Sequence, residues 1–377
     1  MEVAGAQKML LSQAKWFQQR GYQVQAVFFY DKQGLANDWQ VKHNFPIIEL
    51  GAWRYKGFFL ANYLRAFWGM LRLWSLMWRN VDVMESYTPH SNVLGMLAAK
   101  LAGVPIRIAT HHGYIEASSN LLARVHGWMI NAGFASRMVA VSDQVRDFAL
   151  EKESVKTDRI VVIENGIDDP IQRILSKQER DELRTEIGVS KDEMLCLTTG
   201  RLTIQKGHTI LLKAIAQHSK QFDNVQFAFA GDGLQRKNLE NEISDLGIEK
   251  HIRFLGIRND IGNLLQAADL FVQPSLWEGL SLAMLEALFA QSTVLATKVE
   301  GVVDVITDGE TGILVEAGNP AALGEAIVRL LDDAKLRKKL ARNGQAHARR
   351  HYSIDRMCGE YEALIQELAS GAGLVQA

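Results

Sequence analysis

Short apolar segments of strand type alternate with amphipathic segments of helix type along almost the whole chain, which sharply limits its possible folds. The strand-like runs are rich in β-branched and aromatic residues and are apolar on both faces. Strands of this kind, separated by helices, predict parallel sheets that are covered by helices on both sides. We place such strands at residues 24–29, 106–109, 138–141, 160–163, 195–199, 225–230, 252–255, 270–272 and 294–296.

The alternation breaks near residues 164–170, where Asn165-Gly166 favours a turn and Pro170 discourages a helix. A charged helical stretch follows at about 176–187. We therefore predict an α/β protein with two Rossmann-like, doubly wound domains, and ligands beyond the carboxyl ends of their strands. The expected boundaries are 1–168, 169–351 and a final segment, 352–377, whose helix packs back on the first domain. The two domains are expected to face each other across a cleft.

The amino end departs from this plan. A doubly wound domain normally begins with a strand, but this chain enters a predicted helix at about residue 7. We therefore expect the first strand of the first domain to be missing. The loss of a central strand from a parallel sheet leaves unpaired backbone groups, so this domain is expected to be less stable.

Composition excludes several classes of protein. The 377 residues carry a net charge of −1, which provides no general attraction for nucleic acid. Two cysteines are too few for a disulfide framework or a cysteine metal cage, and they fit a reducing cytoplasm. There is no uninterrupted apolar run of 18 residues, so a membrane-spanning helix is not expected. We expect no metal cofactor.

The loop after the strand at 195–199 contains two cations, Arg201 and Lys206, flanked by Gly200 and Gly207. Glycine lets the backbone approach a ligand closely, while guanidinium and ammonium groups are suited to phosphate oxygens. Two solvated surface cations are the alternative. The glycines on either side favour a phosphate-binding loop, and we interpret the segment in that way.

A second loop, after the strand at 270–272, contains Glu278 and is followed by a helix that contains Glu286. We expect an open helix start at Gly279, Leu280 and Ser281, whose free N–H groups and dipole attract an anion. The two carboxylates are suited to sugar hydroxyls, with Glu286 near a ribose and Glu278 near a transferred sugar. The alternative is a carboxylate that favours the helix dipole and a second one on the surface. Together the two loops suggest a nucleotide-sugar site.

The first half offers weaker signals. His112 lies in the segment that follows the strand at 106–109. It is interpreted as facing a sugar or an acceptor, although a structural histidine is about as common. His111 and His112 lack a third ligand at a metal-like spacing, so we do not predict zinc. Residues 53–79 mix aromatic side chains with arginines at 65, 72 and 79, which share one helix face. Either a membrane-interface helix or a core helix with one solvated basic stripe fits this segment.

These motifs resemble the family-4 retaining glycosyltransferases of the GT-B fold over nearly the whole chain. Glu278 and Glu286 reproduce the Glu-x7-Glu signature of that family. Gly200, Arg201 and Lys206 match its phosphate-binding loop, and Gly231 and Ile257 lie in two further matching loops. In the first half, Gly5 resembles the last glycine of a Gly-Gly-Ala loop in which Ala4 replaces its partner, and His112 resembles the acceptor-side histidine.

The resemblance implies a UDP- or GDP-sugar donor, retention at the anomeric carbon and no required metal. Arg201 and Lys206 would neutralise the departing diphosphate, Glu286 would bind the ribose and Glu278 would hold the sugar. The implied acceptor is a glycan or a lipid-linked sugar in surface polysaccharide or lipopolysaccharide biosynthesis. We expect a cytoplasmic enzyme, with a peripheral contact to the inner membrane face through residues 53–79 left open.

Two other functions fit the same fold. A nucleotide-sugar 2-epimerase would convert the donor without any acceptor and would need additional acid and base groups. A binding remnant that has lost its first strand would hold the nucleotide without turnover. The Glu-x7-Glu pair favours the transferase.

Overall fold

A computed structural model of the protein describes residues 5–31, 34–54, 59–78, 80–112, 120–171 and 173–373. The chain forms two compact units, one of Met1–Gly166 with Ile354–Ala377 and the other of Ile167–Ser353. We call them unit 1 and unit 2. In the described parts of the chain, no helix has both the length and the apolar content needed to cross a bilayer.

Helices and short strands alternate in both units. The strands are β1 Ala26–Phe28, β2 Ile47–Glu49, β3 Val83–Ser86, β4 Ile106–His111, β5 Arg137–Ala140, β6 Ile160–Val162, β7 Met194–Thr199, β8 Val225–Ala230, β9 Ile252–Gly256, β10 Leu270–Gln273, β11 Val294–Thr297 and β12 Ile313–Val315. The helices are α1 Gly5–Gln19, α2 Ala36–Lys42, α3 Phe59–Met77, α4 Pro89–Leu101, α5 Asn120–Asn131, α6 Asp143–Lys152, α7 Lys177–Glu186, α8 His208–Gln217, α9 Arg236–Leu246, α10 Ile261–Ala267, α11 Leu282–Phe289, α12 Pro320–Asp332, α13 Ala334–His351 and α14 Ile354–Gly371.

Unit 1 contains two parallel sheets among its described residues. One sheet pairs β1 with β2, and the other has the order β3-β4-β5-β6. The described chain of this unit begins inside α1, so no described strand precedes that helix. Ala4, the residue interpreted as replacing a loop glycine, lies outside the described residues.

The last helix, α14, packs in unit 1 against α1. Trp16 Nε1 donates a hydrogen bond to Asp355 Oδ1 at 2.7 Å, and Tyr22 Oη donates to Glu362 Oε1 at 2.8 Å. On the same helix, Tyr361 is 2% exposed and its hydroxyl lies 3.2 Å from Thr110 Oγ1 on β4. The carboxyl-terminal helix is therefore an integral layer of the unit that begins the chain.

Unit 2 is built on one six-stranded parallel sheet of order β12-β11-β10-β7-β8-β9. All six residues of β8 are buried, as expected for a strand covered on both sides. One apolar cluster contains Leu195 and Leu197 of β7 with Met284 and Leu288 of α11. A second cluster contains Cys196 with residues of α8, α9 and α12. The sheet is therefore sandwiched between two helical layers.

The nine strands predicted from apolar runs are confirmed, with small shifts at their ends. Three strands were missed, namely β2, β3 and β12. β3 contains Glu85 and Ser86, whose polarity hides it from a search for apolar runs, while β2 and β12 have only three residues each. The charged stretch at 176–187 forms α7, which Ser176 caps by accepting from the Glu179 N–H while the Glu179 side chain accepts from the Ser176 N–H.

Helix α3 turns large apolar side chains outward, and of its predicted basic stripe Arg72 is exposed. Arg65 is half-buried and donates to Asn62 Oδ1 at 3.3 Å, and Arg72 donates to the Glu49 carbonyl at 2.9 Å. Arg79 lies outside the described residues. The exposed face of the helix is large and apolar, and it consists of Leu60, Tyr63, Leu64, Phe67, Trp68 and Leu71, which are 40–66% exposed. We call these six residues the α3 apolar face.

Candidate active site

The strand order of unit 2 brings two chemically rich loops together. β7 lies between β8 and β10, so the chain leaves β7 towards one side of the sheet and returns to its other side at β10. A reversal of this kind creates a crevice beyond the carboxyl ends of the two adjacent strands, where α/β proteins bind ligands. The loop with Arg201 and Lys206 follows β7, and the loop with Glu278 follows β10.

Backbone and side-chain hydrogen bonds hold these two loops together. The Leu276 N–H donates to the Gln205 carbonyl at 2.8 Å. In the other direction, Gln205 Nε2 donates to the Trp277 carbonyl at 3.1 Å. The two loops are therefore joined by hydrogen bonds, although Gln205 and Trp277 are 72 residues apart in the sequence.

Glycine is required where neighbouring loops touch. A Cβ atom on Gly231, which follows β8, would lie 1.8 Å from the Gly200 carbonyl oxygen. A Cβ atom on Gly301, which has φ +70°, would lie 1.7 Å from the Gly279 carbonyl oxygen. Both distances are far inside van der Waals contact, so any side chain would push the loops apart. The loops after β7, β8, β10 and β11 consequently form one close-packed rim.

At the centre of this rim, Lys206 and Glu278 form an ion pair. Lys206 Nζ lies 2.5 Å from Glu278 Oε1, and the Ser275 hydroxyl donates to the same oxygen at 2.7 Å. The Lys206 side chain is 18% exposed and that of Glu278 is 6% exposed. An ion pair this sheltered from water interacts strongly, because solvent screens it only weakly. The sequence placed both residues in a site but did not anticipate that they pair.

Arg201 and His208 precede and follow Lys206 in the sequence. Arg201 is exposed, and its side chain has no hydrogen bond or ion pair with the residues that the structure describes. His208 is buried, and burial together with the nearby Lys206 lowers the pKa of its imidazole to about 4. The positive charge of this loop at neutral pH therefore comes from Arg201 and Lys206, and the guanidinium is available to an anion from solvent.

Ser281 is the N-cap residue of α11, so its side chain already has partners inside the fold. The Ser281 side chain accepts from the Met284 N–H at 3.4 Å and donates to Gln273 Oε1 at 2.8 Å. Ser281 is 2% exposed, so its hydroxyl is occupied inside the fold. Gly279 is exposed and Leu280 half-buried just before the cap, and an anion at this helix would have to use backbone N–H groups there.

The remaining predicted residues of unit 2 also follow the carboxyl ends of its parallel strands. Glu286 is half-buried in the second turn of α11. Ile257 is 80% exposed just beyond β9, next to Gly256, whose carbonyl accepts from the Gly231 N–H at 2.7 Å. The structure thus gathers the predicted residues of unit 2 around the carboxyl ends of its strands.

Unit 1 contains the other two predicted residues. Gly5 is the first residue of α1. His112 directly follows β4, and its ring stacks on that of Tyr87 with 5.7 Å between centroids and 18° between planes. Burial and the adjacent His111 lower the pKa of His112 to about 4, so this imidazole is neutral at physiological pH.

A buried cluster beside His112 was not found from the sequence. His111 Nε2 lies 2.9 Å from Glu153 Oε1, and His126 Nδ1 lies 2.7 Å from Glu153 Oε2. Burial opposes ionisation of Glu153, but the hydrogen bonds from the two histidines outweigh it and lower its pKa to about 2. His126 and Glu153 are distant from His111 in sequence, and only the packing of α5 and the end of α6 on β4 brings them together.

The hydrogen bonds around this cluster fit a structural network better than a metal site. Asn92 Nδ2 donates to the Thr110 carbonyl at 3.1 Å and lies 3.2 Å from His126 Nε2. Because this amide nitrogen faces Nε2, the ring proton is on His126 Nδ1, which donates to Glu153. A metal ion would need that nitrogen deprotonated. The three side chains are residue types that can hold a metal ion, and in this structure they are joined by hydrogen bonds.

Comparison with known proteins identifies the family of the chain. Residues 179–347 match the family of glycosyl transferases group 1, and residues 3–169 match glycosyltransferase family 4. Similar curated proteins include the UDP-Gal:alpha-D-GlcNAc-diphosphoundecaprenol alpha-1,3-galactosyltransferase of Escherichia coli, which is 30% identical over 264 residues, or 68% of this chain and 67% of that protein. The phosphatidyl-myo-inositol mannosyltransferase of Mycobacterium leprae is 29% identical over 78% of this chain and 76% of its own length.

Solved structures show the same fold. HepE of Anabaena, crystallised with UDP, superposes with a TM-score of 0.84 over 97% of both chains at 24% identity. WaaG, a glycosyltransferase involved in lipopolysaccharide biosynthesis, superposes with a TM-score of 0.71 over 97% of both chains at 18% identity. On these matches and the paired loops of unit 2, the chain belongs to the family-4, group 1 glycosyltransferases of the GT-B fold, with two Rossmann-like domains.

Proposed function

We propose that this glycosyltransferase moves a hexose from a UDP-sugar to a hydroxyl of a glycan or lipid-linked acceptor, with retention at the anomeric carbon. A role in surface polysaccharide or lipopolysaccharide biosynthesis is part of the proposal. The similarity to an E. coli enzyme named for UDP-galactose and a diphosphoundecaprenol acceptor supports it. The crystallisation of HepE with UDP-glucose supports the choice of UDP over GDP.

The observation that carries the proposal is the Lys206–Glu278 pair between the loops after β7 and β10. The ammonium group of Lys206 lies at this pair, Arg201 adds an exposed guanidinium to the same loop, and the backbone before α11 follows Glu278. Such a set can stabilise the charge that develops on a leaving diphosphate. In this proposal the carboxylate of Glu278, next to the ammonium, accepts hydrogen bonds from the hydroxyls of the transferred sugar.

The roles of the residues follow from their chemistry. Arg201 and Lys206 neutralise the diphosphate, and Glu286 accepts hydrogen bonds from the ribose hydroxyls. When the donor binds, Lys206 exchanges part of its contact with Glu278 for phosphate oxygens, while Glu278 turns to sugar hydroxyls. The acceptor hydroxyl attacks from the face that the diphosphate leaves, and its proton passes to a phosphate oxygen of the leaving group. His112 holds the acceptor or the sugar through its neutral imidazole.

The test is a panel of UDP- and GDP-sugars with and without acceptors, among them a synthetic GlcNAc-diphospholipid. Nucleotide release that depends on the acceptor, with an α-linked product from an α-linked donor by NMR, supports the proposal. Conversion of the donor without acceptor would support the 2-epimerase. Nucleotide binding without turnover under every condition would support a binding remnant, and turnover with GDP-sugars alone would overturn the choice of UDP.

We also propose that no metal is required, because Arg201 and Lys206 supply the positive charge that a divalent ion would otherwise provide. The expected result is turnover in 5 mM EDTA, on the order of the uninhibited rate, since charge stabilisation by fixed side chains survives chelation. A loss of activity in EDTA that Mg²⁺ or Mn²⁺ restores would contradict this part of the proposal.

A membrane-surface role for unit 1 is supported by the α3 apolar face. A monomeric protein rarely exposes a continuous patch of this kind, which usually marks an interface. Trp68 and Tyr63 have the amphipathic rings that favour the headgroup level of a bilayer, and the exposed Arg72 beside them suits anionic lipid. We propose that this face lies on an anionic bilayer, where a lipid-linked acceptor would be presented.

Sedimentation with phosphatidylglycerol vesicles tests this proposal. The wild type is expected to bind, and a Phe67→Ser/Trp68→Ser variant to lose most of the binding. Ile174→Ser, at an apolar residue of unit 2 that is 78% exposed, is the matched control and is expected to bind like the wild type. Equal binding by both variants would overturn the proposal, as would a wild type that binds no vesicle but forms a dimer which the double substitution dissociates.

A further inference from the structure

A chain of polar contacts leads from Glu85 on β3 to His112 at the end of β4. Glu85 Oε2 accepts a hydrogen bond from Gln13 Nε2 of α1 at 2.9 Å. The oxygen of the same amide, Gln13 Oε1, accepts from the Tyr87 hydroxyl at 3.0 Å. The Tyr87 ring in turn stacks on the His112 ring. A continuous series of side-chain contacts thus joins α1, β3 and the end of β4 in unit 1.

Gln13, in the middle of this series of polar contacts, is shielded from water. Gln13 is 2% exposed, so both ends of its amide depend on protein partners. On its other oxygen, Glu85 accepts from Thr110 Oγ1 at 3.2 Å, and that hydroxyl also contacts the Tyr361 hydroxyl at 3.2 Å. Glu85 is therefore held from two sides, and Gln13 is held by Glu85 and Tyr87.

The direction of these hydrogen bonds depends on whether Glu85 carries a proton. An ionised carboxylate accepts only, so the nitrogen of Gln13 must face it and the amide oxygen must face Tyr87. A protonated carboxyl donates, and Gln13 satisfies it best by turning its oxygen towards Glu85 and its nitrogen towards Tyr87. Protonation of Glu85 would thus change Tyr87 from a donor to an acceptor in its bond with Gln13.

Both states of Glu85 are accessible near neutral pH. Burial raises the pKa of Glu85 to about 7, while hydrogen bonds from Thr110, Tyr87, Gln13 and Tyr361 act in the opposite direction. The titratable groups that face it are Tyr87 at the end of its own strand and Tyr361 of α14, with Cys358 near these tyrosines. The contacts from α1 and β4 come from the uncharged Gln13 and Thr110.

His112, at the end of this series of polar contacts, has a hydrogen-bonding group without a partner among the described residues. His112 Nε2 is buried and has no hydrogen-bond partner among the described residues. A buried polar atom without a partner costs about 1–3 kcal/mol, so such an atom is suited to a ligand that supplies the missing bond. The neutral His112 can supply one donor or acceptor to a hydroxyl, provided that its ring is held in the correct plane.

We propose that Glu85, Gln13 and Tyr87 form a proton-sensitive relay that positions the His112 imidazole for a sugar hydroxyl. The part of the inference that concerns sugar binding rests on the proposed function. The three relay members are positioning residues, and His112 is the group that touches the substrate. Tyr87 contributes in two ways, since its ring supports the imidazole and its hydroxyl ties that ring to Gln13.

The relay itself can be tested without any substrate. The Cε1 resonance of His112, labelled with carbon-13 and assigned with a His112→Gln variant, is followed by NMR between pH 5.5 and 8.5. The wild type is expected to show a step near pH 7, far above the titration of the imidazole itself near pH 4. Glu85→Gln and Tyr87→Phe are expected to remove this step, because the first has no ionisable group and the second lacks the hydroxyl.

Tyr22→Phe is the matched control. It also removes a hydroxyl that bonds a glutamate in unit 1, namely Glu362 at 2.8 Å, but it lies outside the relay. This variant is expected to keep the step. The absence of a step in the wild type, or its persistence in Glu85→Gln, would overturn the relay.

Kinetics then test the link to function. Tyr87→Phe is expected to lower kcat/KM for the acceptor about fivefold to tenfold, as expected for one net hydrogen bond, with the Kd for UDP within about twofold of wild type. An equal loss in UDP affinity would show general damage to the fold and overturn the positioning role. If the wild type transfers no sugar, the proposed function fails, and the NMR step alone still decides whether the relay exists.

Discussion

Replacement of Lys206 by methionine tests the centre of the site, because this side chain has both a structural partner and a proposed ligand. The substitution keeps the length of the aliphatic stem and removes the ammonium group. Glu278 would then keep only the hydrogen bond from Ser275 at 2.7 Å, although its side chain is 6% exposed. Breaking a buried pair by removing one partner costs about 3–5 kcal/mol. Because Lys206 is 18% exposed, we expect the lower limit, about 3 kcal/mol.

The effect on turnover has a separate cause and a separate size. Loss of one charge-stabilising donor at a reacting centre lowers kcat by about 10²–10³. The kcat of Lys206→Met with a UDP-sugar is therefore expected to be lower than that of the wild type by this factor. Its binding of UDP is expected to be weaker as well. Lys213→Met removes an exposed lysine of α8 and is the matched control, with wild-type stability and turnover expected.

A double-mutant cycle with Glu278→Gln separates the two effects. In Lys206→Met/Glu278→Gln no unpaired carboxylate remains, so urea unfolding is expected to regain most of the lost stability. Turnover is expected to remain low, because the diphosphate still lacks its ammonium group. Full turnover in Lys206→Met would remove this residue from the site. Recovery of turnover together with stability in the double variant would show that Lys206 acts only as the partner of Glu278.

Three further predictions use other features of the structure. Gly301→Ala is expected to weaken UDP binding at least about tenfold by calorimetry, because its Cβ would meet the Gly279 oxygen at 1.7 Å; Gly318→Ala has a similar φ, +73°, but open space, and is expected to bind normally. Glu153→Gln is expected to cost about 3 kcal/mol in urea unfolding at pH 7, from a pKa lowered from 4.5 to about 2. Since this pKa is depressed by folding, the contribution is complete above about pH 4.5 and is lost as the pH falls towards 2, so an equal difference between the two proteins at pH 7 and pH 3 would contradict the reasoning. Trp277 is the only tryptophan between Ile167 and Ser353 and is 50% exposed beside Glu278, so UDP is expected to change the fluorescence of the wild type but not of Trp277→Phe.

The candidate site residues of unit 2 could be chosen from short stretches of sequence. Glycines beside cations after one strand, and two glutamates after another, indicate ligand chemistry wherever parallel strands end. The capped start of α11 could not be predicted with the same ease, although Ser281 is a favourable N-cap residue. The same serine also fits a ligand loop, and only its bond to Gln273 shows that its hydroxyl is occupied.

Contacts between distant segments could not be predicted from the sequence. The Lys206–Glu278 pair spans 72 residues, and the bond from Gln13 to Glu85 also spans 72. Neither spacing has a periodic or local signature. The strand β3 was missed altogether, since Glu85 and Ser86 interrupt its apolar run, and with it the relay to His112 was missed.

The order of residues along the chain determined the alternation of strands and helices, because apolar runs and caps act over one or two turns of backbone. It also determined which loops contain cations and carboxylates. Only the tertiary structure decided which loops meet, because the order β10-β7-β8 is set by sheet pairing and helix packing over long separations. Charges that are independent in the sequence become an ion pair at that meeting point, and a glutamate inside an overlooked strand acquires a pKa near 7.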